Sequence, residues 1–343
     1  MSPRRSSSRG RRAALRVVVS LVLLLLLLPA LAVTAARLLE PSGGIWVRLV
    51  SFTPHVLVLY LVALVILLGG LVAGALGPLR QLACVLVLVL AGLHAWWAAP
   101  AFVGDPPAAA GEGRLSVLSV NLSLGQADPA RVVSLARDNH ADVVVVSEIT
   151  RVALGQLQAA GLDEAYPHTV GSPASGPAGT MVFSRHPLRA VQPLDTSYHG
   201  YATTVAVPSG PVRLLAVHPS PPVGDAMAWR RDQAVLRQAA TRDADAPTLV
   251  VGDLNATVDH APLRELFARG FSDAAQQASS GWQPTWPAAG EVGAFGVSVP
   301  SLIAIDHVLV GEQLTSVATS TASVPGTDHR ALVARVAVAA PSS

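Results

Sequence analysis

The sequence predicts an α/β protein: a layered sandwich of two mixed β-sheets flanked by helices, preceded by three transmembrane helices. Three observations predict it. Residues 13–100 are dominated by Leu, Val and Ala, in runs long enough to cross a bilayer. Beyond residue 114, short β-branched runs alternate with helical patterns. Within them, four consecutive valines at 143–146 leave a strand no polar face, which implies a sheet covered on both sides.

Residues 1–12 form a basic head, expected as a cytoplasmic tail. Apolar runs follow at about 13–36, 55–76 and 82–99. A ~30 Å hydrocarbon layer takes about 20 helical residues, and helices are expected because lipid offers the backbone no hydrogen bonds. A cleaved signal peptide ending near Ala32–Ala36 is the rival for the first run. Its Leu-rich core exceeds the usual ~7–15 residues, which favours a retained helix. Six Arg from Arg4 to Arg16 hold the N-terminus in the cytoplasm by the positive-inside rule. Three crossings then put everything beyond residue 100 outside, in a multi-pass protein of the cell membrane. Trp96 and Trp97 end the third run, where interfacial aromatics collect. His94 beside them reads as a helix-facing or snorkelling imidazole rather than a proton relay.

A Gly/Pro/Ala linker spans 101–113, and a catalytic domain is expected at 114–340. Its strands are expected at 115–123, 142–149, 179–184, 202–207, 212–218, 248–255, 303–310, 315–322 and 332–338. Helices are expected at 129–139, 226–241 and 261–269. The first of these starts with Asp128-Pro129, an N-cap followed by Pro at the first helical position. No internal repeat is visible.

The pI of about 9.1 misleads. All 24 basic residues are Arg, and nine precede residue 81; beyond residue 110, fifteen Arg face 20 Asp plus Glu, a formal charge of −5. A net acidic domain argues mildly against a nucleic-acid substrate, since neutralising phosphates drives such binding. The only cysteine, Cys84, lies in an apolar run, so an internal disulfide is impossible and a thiol nucleophile in the soluble part is excluded.

Polar residues at strand ends carry the chemistry. Asn121 ends the first strand, and Glu148 follows the valines, where an unpaired charge is costly and a cation is wanted. His218 ends another strand. Asp253 and Asn255, two apart, are expected on one face of a strand, an oxygen-rich pair suited to Mg²⁺ or Mn²⁺ and a phosphate. Asp306-His307 and Asp328-His329 are Asp-His dipeptides, and a carboxylate-oriented His is the usual means of activating water near neutral pH. Each alone could be a turn or a satisfied core group. The series is hard to explain by packing.

The ordered set Ser-Val-Asn121, Ser-Glu148, Phe-Ser184-Arg185-His-Pro, Val-His218-Pro, Gly-Asp253-Leu-Asn255, Ile-Asp306-His307 and Thr-Asp328-His329 resembles the endonuclease/exonuclease/phosphatase superfamily across residues 115–338. The three-span layout is similar to the VanJ-type teicoplanin-resistance proteins, a bacterial branch linked to polyprenyl-pyrophosphate hydrolysis. The resemblance implies water attack without a covalent intermediate. Glu148 and Asn121, with Asp328 in support, would hold the cation. Asp253 would position or deprotonate the water, and Asn255 would hold a phosphate oxygen. His329, oriented by Asp306, would be the acid/base or transition-state stabiliser, and His218 would donate to a non-bridging oxygen. His307 is expected to be structural. One departure is Ser147, where many members have Gln.

His186 and His199 read as surface residues. The 281–287 loop carries Trp282 and Trp286, read either as packing or as contacts to substrate or membrane. The expected function is a metal-dependent phosphohydrolase at the outer membrane face, with the bilayer and a lipid-linked phosphate or pyrophosphate as partners. An extracellular nuclease and a catalytically dead binding domain are the competing readings. The sequence names no protein partner.

Overall fold

The computed structural model describes residues 4–73, 77–104, 110–243, 246–288, 293–294 and 297–339. The chain forms two compact units, Met1–Pro41 with Ile45–Ala99, and Ser42–Gly44 with Pro100–Ser343.

The first unit is helical: α1 (Arg4–Leu39), α2 (Gly44–Val50), α3 (Val56–Val72) and α4 (Pro78–Ala98). Two helical stretches, not the three expected, are long and apolar enough to cross a bilayer: Ala13–Leu39 and Pro78–Ala101. At ~1.5 Å per residue, the 17 residues of α3 reach only ~26 Å. The helix begins within a residue of the expected start but ends at Val72, with a turn at Ala73; residues 74–76 lie outside the described set. Side chains of α1, α3 and α4 share one apolar core that includes Ala30, Val33, Tyr60, Leu67 and Val87. Their outer faces stay apolar, with Leu25, Val65 and Leu79 well exposed. Inside this core the Thr34 hydroxyl meets Tyr60 Oη at 2.7 Å and His94 Nε2 at 3.0 Å, while His94 Nδ1 lies 3.0 Å from the Thr53 carbonyl. His94 is thus fully buried and faces the neighbouring helices, as polar groups in such bundles do.

The second unit contains β1 (Ala110–Asn121), α5 (Pro129–Asp138), β2 (Val143–Ser147), α6 (Arg151–Ala159), α7 (Leu162–Ala165), β3 (His168–Ser172), β4 (Thr180–Ser184), β5 (Leu188–Pro193), β6 (Tyr201–Val207) and β7 (Gly210–Val217). It continues with α8 (Ala226–Ala240), β8 (Thr248–Asp253), α9 (Ala261–Phe267), β9 (Ser272–Asp273), α10 (Ala274–Gln277), β10 (Gly293–Ala294), β11 (Val297–Ser298), β12 (Asp306–Val310), β13 (Leu314–Ser323) and β14 (Arg330–Ala339). All nine expected strands form. The expected linker is shorter, since β1 already begins at Ala110 and residues 105–109 lie outside the described set.

Two mixed six-stranded sheets result, ordered β13-β14-β1-β2-β4-β3 and β5-β6-β7-β8-β12-β9. Each has one parallel pair at its centre, β1 with β2 and β7 with β8. The valines of β2 show why the sandwich closes. Val143 and Val145 enter the core between the sheets, while Val144 and Val146 enter the core that includes α5 and α6 residues. Period-two alternation thus feeds two separate cores. Asp128 caps α5 by accepting from the N–H groups of Ala130 and Arg131.

Candidate active site

The site lies where the parallel pairs end. Asn121 closes β1, Glu148 follows β2, His218 follows β7 and Asp253 closes β8. In the register Asn121 pairs with Ser147, next to Glu148, and Asp306 pairs with Asp253 across antiparallel strands. Directly opposite residues share a face, so Asp306 and Asp253 meet there.

Backbone detail sharpens the placement. Gly252 has φ +146, and a Cβ there would lie 1.9 Å from the Val217 carbonyl oxygen. Only glycine lets β8 approach β7 this closely. Glu148 (φ +57) and Asn255 (φ +48) are left-handed although neither is glycine. Such residues cost ~1–3 kcal/mol each and cluster at functional sites. Asn255 also corrects an expectation: β8 stops at Asp253, so the left-handed turn, and not a shared strand face, carries Asn255.

Asn121 is the hub. Its Nδ2 donates to Glu148 Oε1 at 3.2 Å and to Asp253 Oδ2 at 3.0 Å, while its Oδ1 accepts from the Ser123 N–H at 2.9 Å. Glu148, half-buried, also accepts from the Leu124 N–H at 2.8 Å. Asp253 Oδ1 accepts from the Asn255 N–H at 2.9 Å. Around its Oδ2 stand His218 Nε2 at 3.6 Å and His329 Nε2 at 3.7 Å. His218 Nε2 is also 3.9 Å from Glu148 Oε1. His329 Nδ1 is bound to Asp306 Oδ2 at 2.8 Å. Six groups anticipated from sequence therefore converge: Asn121, Glu148, His218, Asp253, Asp306 and His329.

The electrostatics follow from burial. Desolvation pushes the Asp253 carboxyl above its usual range and Asp306 adds to this, while His329 and His218 oppose it. Desolvation alone would depress His329, but the carboxylates of Asp306 and Asp253 outweigh it and hold the imidazole at about 10. At neutral pH it is a cation aimed at Asp253.

Asp253, Asp306 and His329 offer ligand atoms all within 4.8 Å of one another. Asp306 is already committed to His329 through Oδ2, which favours the Glu148–Asn121–Asp253 side for a hard cation. The two carboxylates are hard oxygen donors that fit Mg²⁺ or Mn²⁺, and Asn121 holds them through its Nδ2–H₂.

The remaining anticipated residues sit elsewhere. Asp328 Oδ2 accepts from the Trp286 indole N–H at 3.1 Å. Trp286 is therefore half-buried and committed; Trp282 is the more exposed of the two. The amide of Asn255 donates to the Pro219 carbonyl at 3.0 Å, tying its turn to the segment after His218. His307 faces away, bound to Asp273. His186 pairs with Asp142 at 3.5 Å, and His199 meets the Ser172 hydroxyl at 3.1 Å.

Several supports were not anticipated. The buried Thr285 hydroxyl accepts from the N–H groups of Ile305 and Asp306. Thr327 Oγ1 donates to the Asn121 carbonyl at 2.8 Å. From α8, Trp229 Nε1 reaches the Asn255 carbonyl at 2.9 Å, Gln233 Nε2 reaches the Leu254 carbonyl at 2.7 Å, and buried Asp232 accepts from the Ser197 and Ser220 N–H groups, both at 3.0 Å. The 3–4 spacing of Trp229, Asp232 and Gln233 is the one local signal that they share a helix face.

A family model described as the Endonuclease/Exonuclease/phosphatase family matches residues 118–329. No curated protein matches the chain. Among solved structures, an endonuclease/exonuclease/phosphatase from Beutenbergia cavernae is similar at 22% identity and a TM-score of 0.50, covering 66% of this chain and 72% of that one. A family protein from Bacteroides thetaiotaomicron is similar at 12% identity and 0.51, covering 68% and 99%. D. rerio TDP2 complexed with single strand DNA product is similar at 15% identity and 0.52, covering 66% and 99%. At these identities the likeness is one of fold.

Proposed function

The chain belongs to the endonuclease/exonuclease/phosphatase family, and from that premise we propose that it is a divalent-metal-dependent phosphohydrolase acting on lipid-linked phosphate or pyrophosphate at the outer membrane face. The observation that carries the hydrolase reading is the Asp306–His329 pair with its free ring nitrogen 3.7 Å from Asp253.

A bound Mg²⁺ or Mn²⁺, held by the Glu148 carboxylate with Asn121 orienting that carboxylate, would polarise the phosphoryl oxygens. Asp253 orients the attacking water and takes its proton. His329, kept cationic by Asp306, faces the charge that develops on the phosphoryl oxygens and can return a proton to the leaving oxygen. His218 donates from Nε2 to a non-bridging oxygen. Asn255 braces the turn beside Asp253, its N–H donating to Asp253 Oδ1 and its side-chain amide to the Pro219 carbonyl.

Three features support a membrane lipid as substrate source. The catalytic unit is net acidic, so attraction to a polyanion is weak and screened beyond about 8–10 Å. The N-terminal helices expose apolar faces. The loops after Asn121 and His218 expose Leu124 and Val223, and the first turn of α8 exposes Met227, large apolar residues near a polar site. The outer-face placement needs α3 to cross: 17 residues stand at the short limit of a span, and an even number of crossings would leave the unit with the N-terminus. A C-terminal reporter active only outside the cytoplasm tests this; a reporter active only inside sinks it.

The substrate test measures phosphate release from detergent-solubilised polyprenyl pyrophosphate against cleavage of duplex and single-stranded DNA, with Mg²⁺ and with EDTA. Lipid turnover lost in EDTA is expected. Efficient DNA cleavage without lipid turnover would replace this reading with a nuclease.

A further inference from the structure

One aromatic residue stands over the site without a role in it. Tyr198 lies in the loop between β5 and β6, and its ring packs on His218 with centroids 5.0 Å apart and planes tilted by 51°. That is the separation at which aromatic rings attract. Burial raises the pKa of its phenol, and the carboxylates of Glu148 and Asp232 add to this. The Tyr198 side chain is half-buried beside the site.

The loop is built to hold the ring. The Leu194 N–H donates to the Gly200 carbonyl at 2.8 Å and closes it. Thr196 Oγ1 donates to the Tyr198 carbonyl at 2.7 Å, and the His199 N–H donates to the Ala178 carbonyl at 2.9 Å. Next to Tyr198, Ser197 gives both its N–H and its hydroxyl to Asp232 Oδ1, at 3.0 and 3.1 Å. The other oxygen of Asp232 accepts from the N–H of Ser220, two residues after His218. Asp232 is completely buried, and a buried carboxylate is costly unless its bonds are filled. One carboxylate thus fastens both members of the Tyr198–His218 stack.

We propose that Tyr198 is a substrate-contacting residue, donating its hydroxyl to an oxygen of the bound phosphate beside Glu148, and that Asp232 is the positioning residue that sets it there. The inference rests on the phosphohydrolase reading but adds a contact to it. So placed, the loop gives the phosphate a neutral donor next to the His218 imidazole, on which the Tyr198 ring packs.

The test uses the full chain in detergent with Mg²⁺. Tyr198→Phe keeps the ring on His218 and deletes only the hydroxyl. On bis(p-nitrophenyl) phosphate, KM should rise about ten-fold to a hundred-fold, the size expected for a hydrogen bond to a charged group, with kcat changed far less. Asp232→Asn should raise KM similarly, yet add little on top of Tyr198→Phe, because the two act through one contact. Ser197→Ala removes part of the same fastening and serves if Asp232→Asn does not fold. Unchanged KM in Tyr198→Phe, or fully additive effects of the pair, overturns the proposal. Calorimetric binding of inorganic phosphate separates the two readings: a chain that turns over nothing but binds phosphate ten-fold more tightly than Tyr198→Phe retains this contact and loses the hydrolase reading. A chain whose phosphate binding ignores the substitution, or which binds none, loses the contact.

Discussion

Two Asp–His pairs lie side by side in this molecule and do opposite things. His329 is bound through Nδ1 to Asp306 at 2.8 Å, and His307 through Nδ1 to Asp273 at 2.7 Å. Both imidazoles are buried, and in both the partner carboxylates overcome desolvation and raise the pKa. They differ at the other nitrogen. His307 Nε2 is spent on the Ala256 carbonyl at 2.9 Å, so the ring has two acceptors and is held as a doubly protonated strut. His329 Nε2 faces Asp253 at 3.7 Å, beyond hydrogen-bond range and free to reach a reacting group. Burial, a carboxylate partner and a raised pKa do not set the two histidines apart; the uncommitted nitrogen of His329 does.

The sharpest way to break this comparison is to remove each centre in turn. His329→Ala, Asp253→Ala and Glu148→Ala should each lower kcat by about 10²–10⁴ with cooperative unfolding retained. Near-normal turnover in His329→Ala would dissolve the distinction. His307→Leu should do the reverse. It leaves Asp273 buried without its cation, at a cost of about 3–5 kcal/mol, and each kcal/mol lowers Tm by about 2–4 °C in a domain of this size. The protein that still folds should turn over at close to the normal rate; a large loss of kcat with unchanged Tm would make His307 catalytic.

A third outcome concerns pH. The folded-state pKa of His329 is raised from 6.5 to about 10, so its stabilising contribution is complete below pH 6.5 and is lost as pH rises through about 10. In EDTA, Tm should therefore fall between pH 7 and 10.5, and fall less steeply in His329→Gln. Equal slopes would remove the cationic assignment. The smallest effect is expected from Trp286→Phe, which deletes the indole donor to Asp328; about 1 kcal/mol of stability should go, with a few-fold change in turnover. A loss as large as that of His329→Ala would instead place Trp286 among the groups that meet substrate.

Local pattern carried much of this protein. β-Branched runs were sufficient for nine strands because buried central strands are continuous in apolar residues, as in Val143–Ser147. Five strands were not anticipated: β9, β10 and β11 are two residues long each, and β3 and β5 lie at sheet edges, where most positions are not buried and no apolar rhythm is required. Asn121, Glu148, His218, Asp253, Asp306 and His329 were legible because a polar residue at the end of an apolar strand has no packing excuse. The span of α3 was overread at its C-terminal end, since hydropathy does not reveal that the helix stops at Val72.

By itself, then, the sequence determined the apolar helices, the two-sheet sandwich and the chemical inventory of the site, each written in residues close together along the chain. Tertiary structure alone decided how that inventory is spent. Asp306 and His307 are neighbours in one strand, and the pleat sends one toward His329 and the other toward Asp273. Asn255 was expected on a strand face and instead leaves the strand in a left-handed turn. Tyr198 gave no local signal and Asp232 only its helix-face spacing, because the contacts that tie them to His218 and the segment after it cross between separate loops and a helix. Hydrogen-bond partners are chosen by distance in space, and that distance exists only once the two sheets have packed.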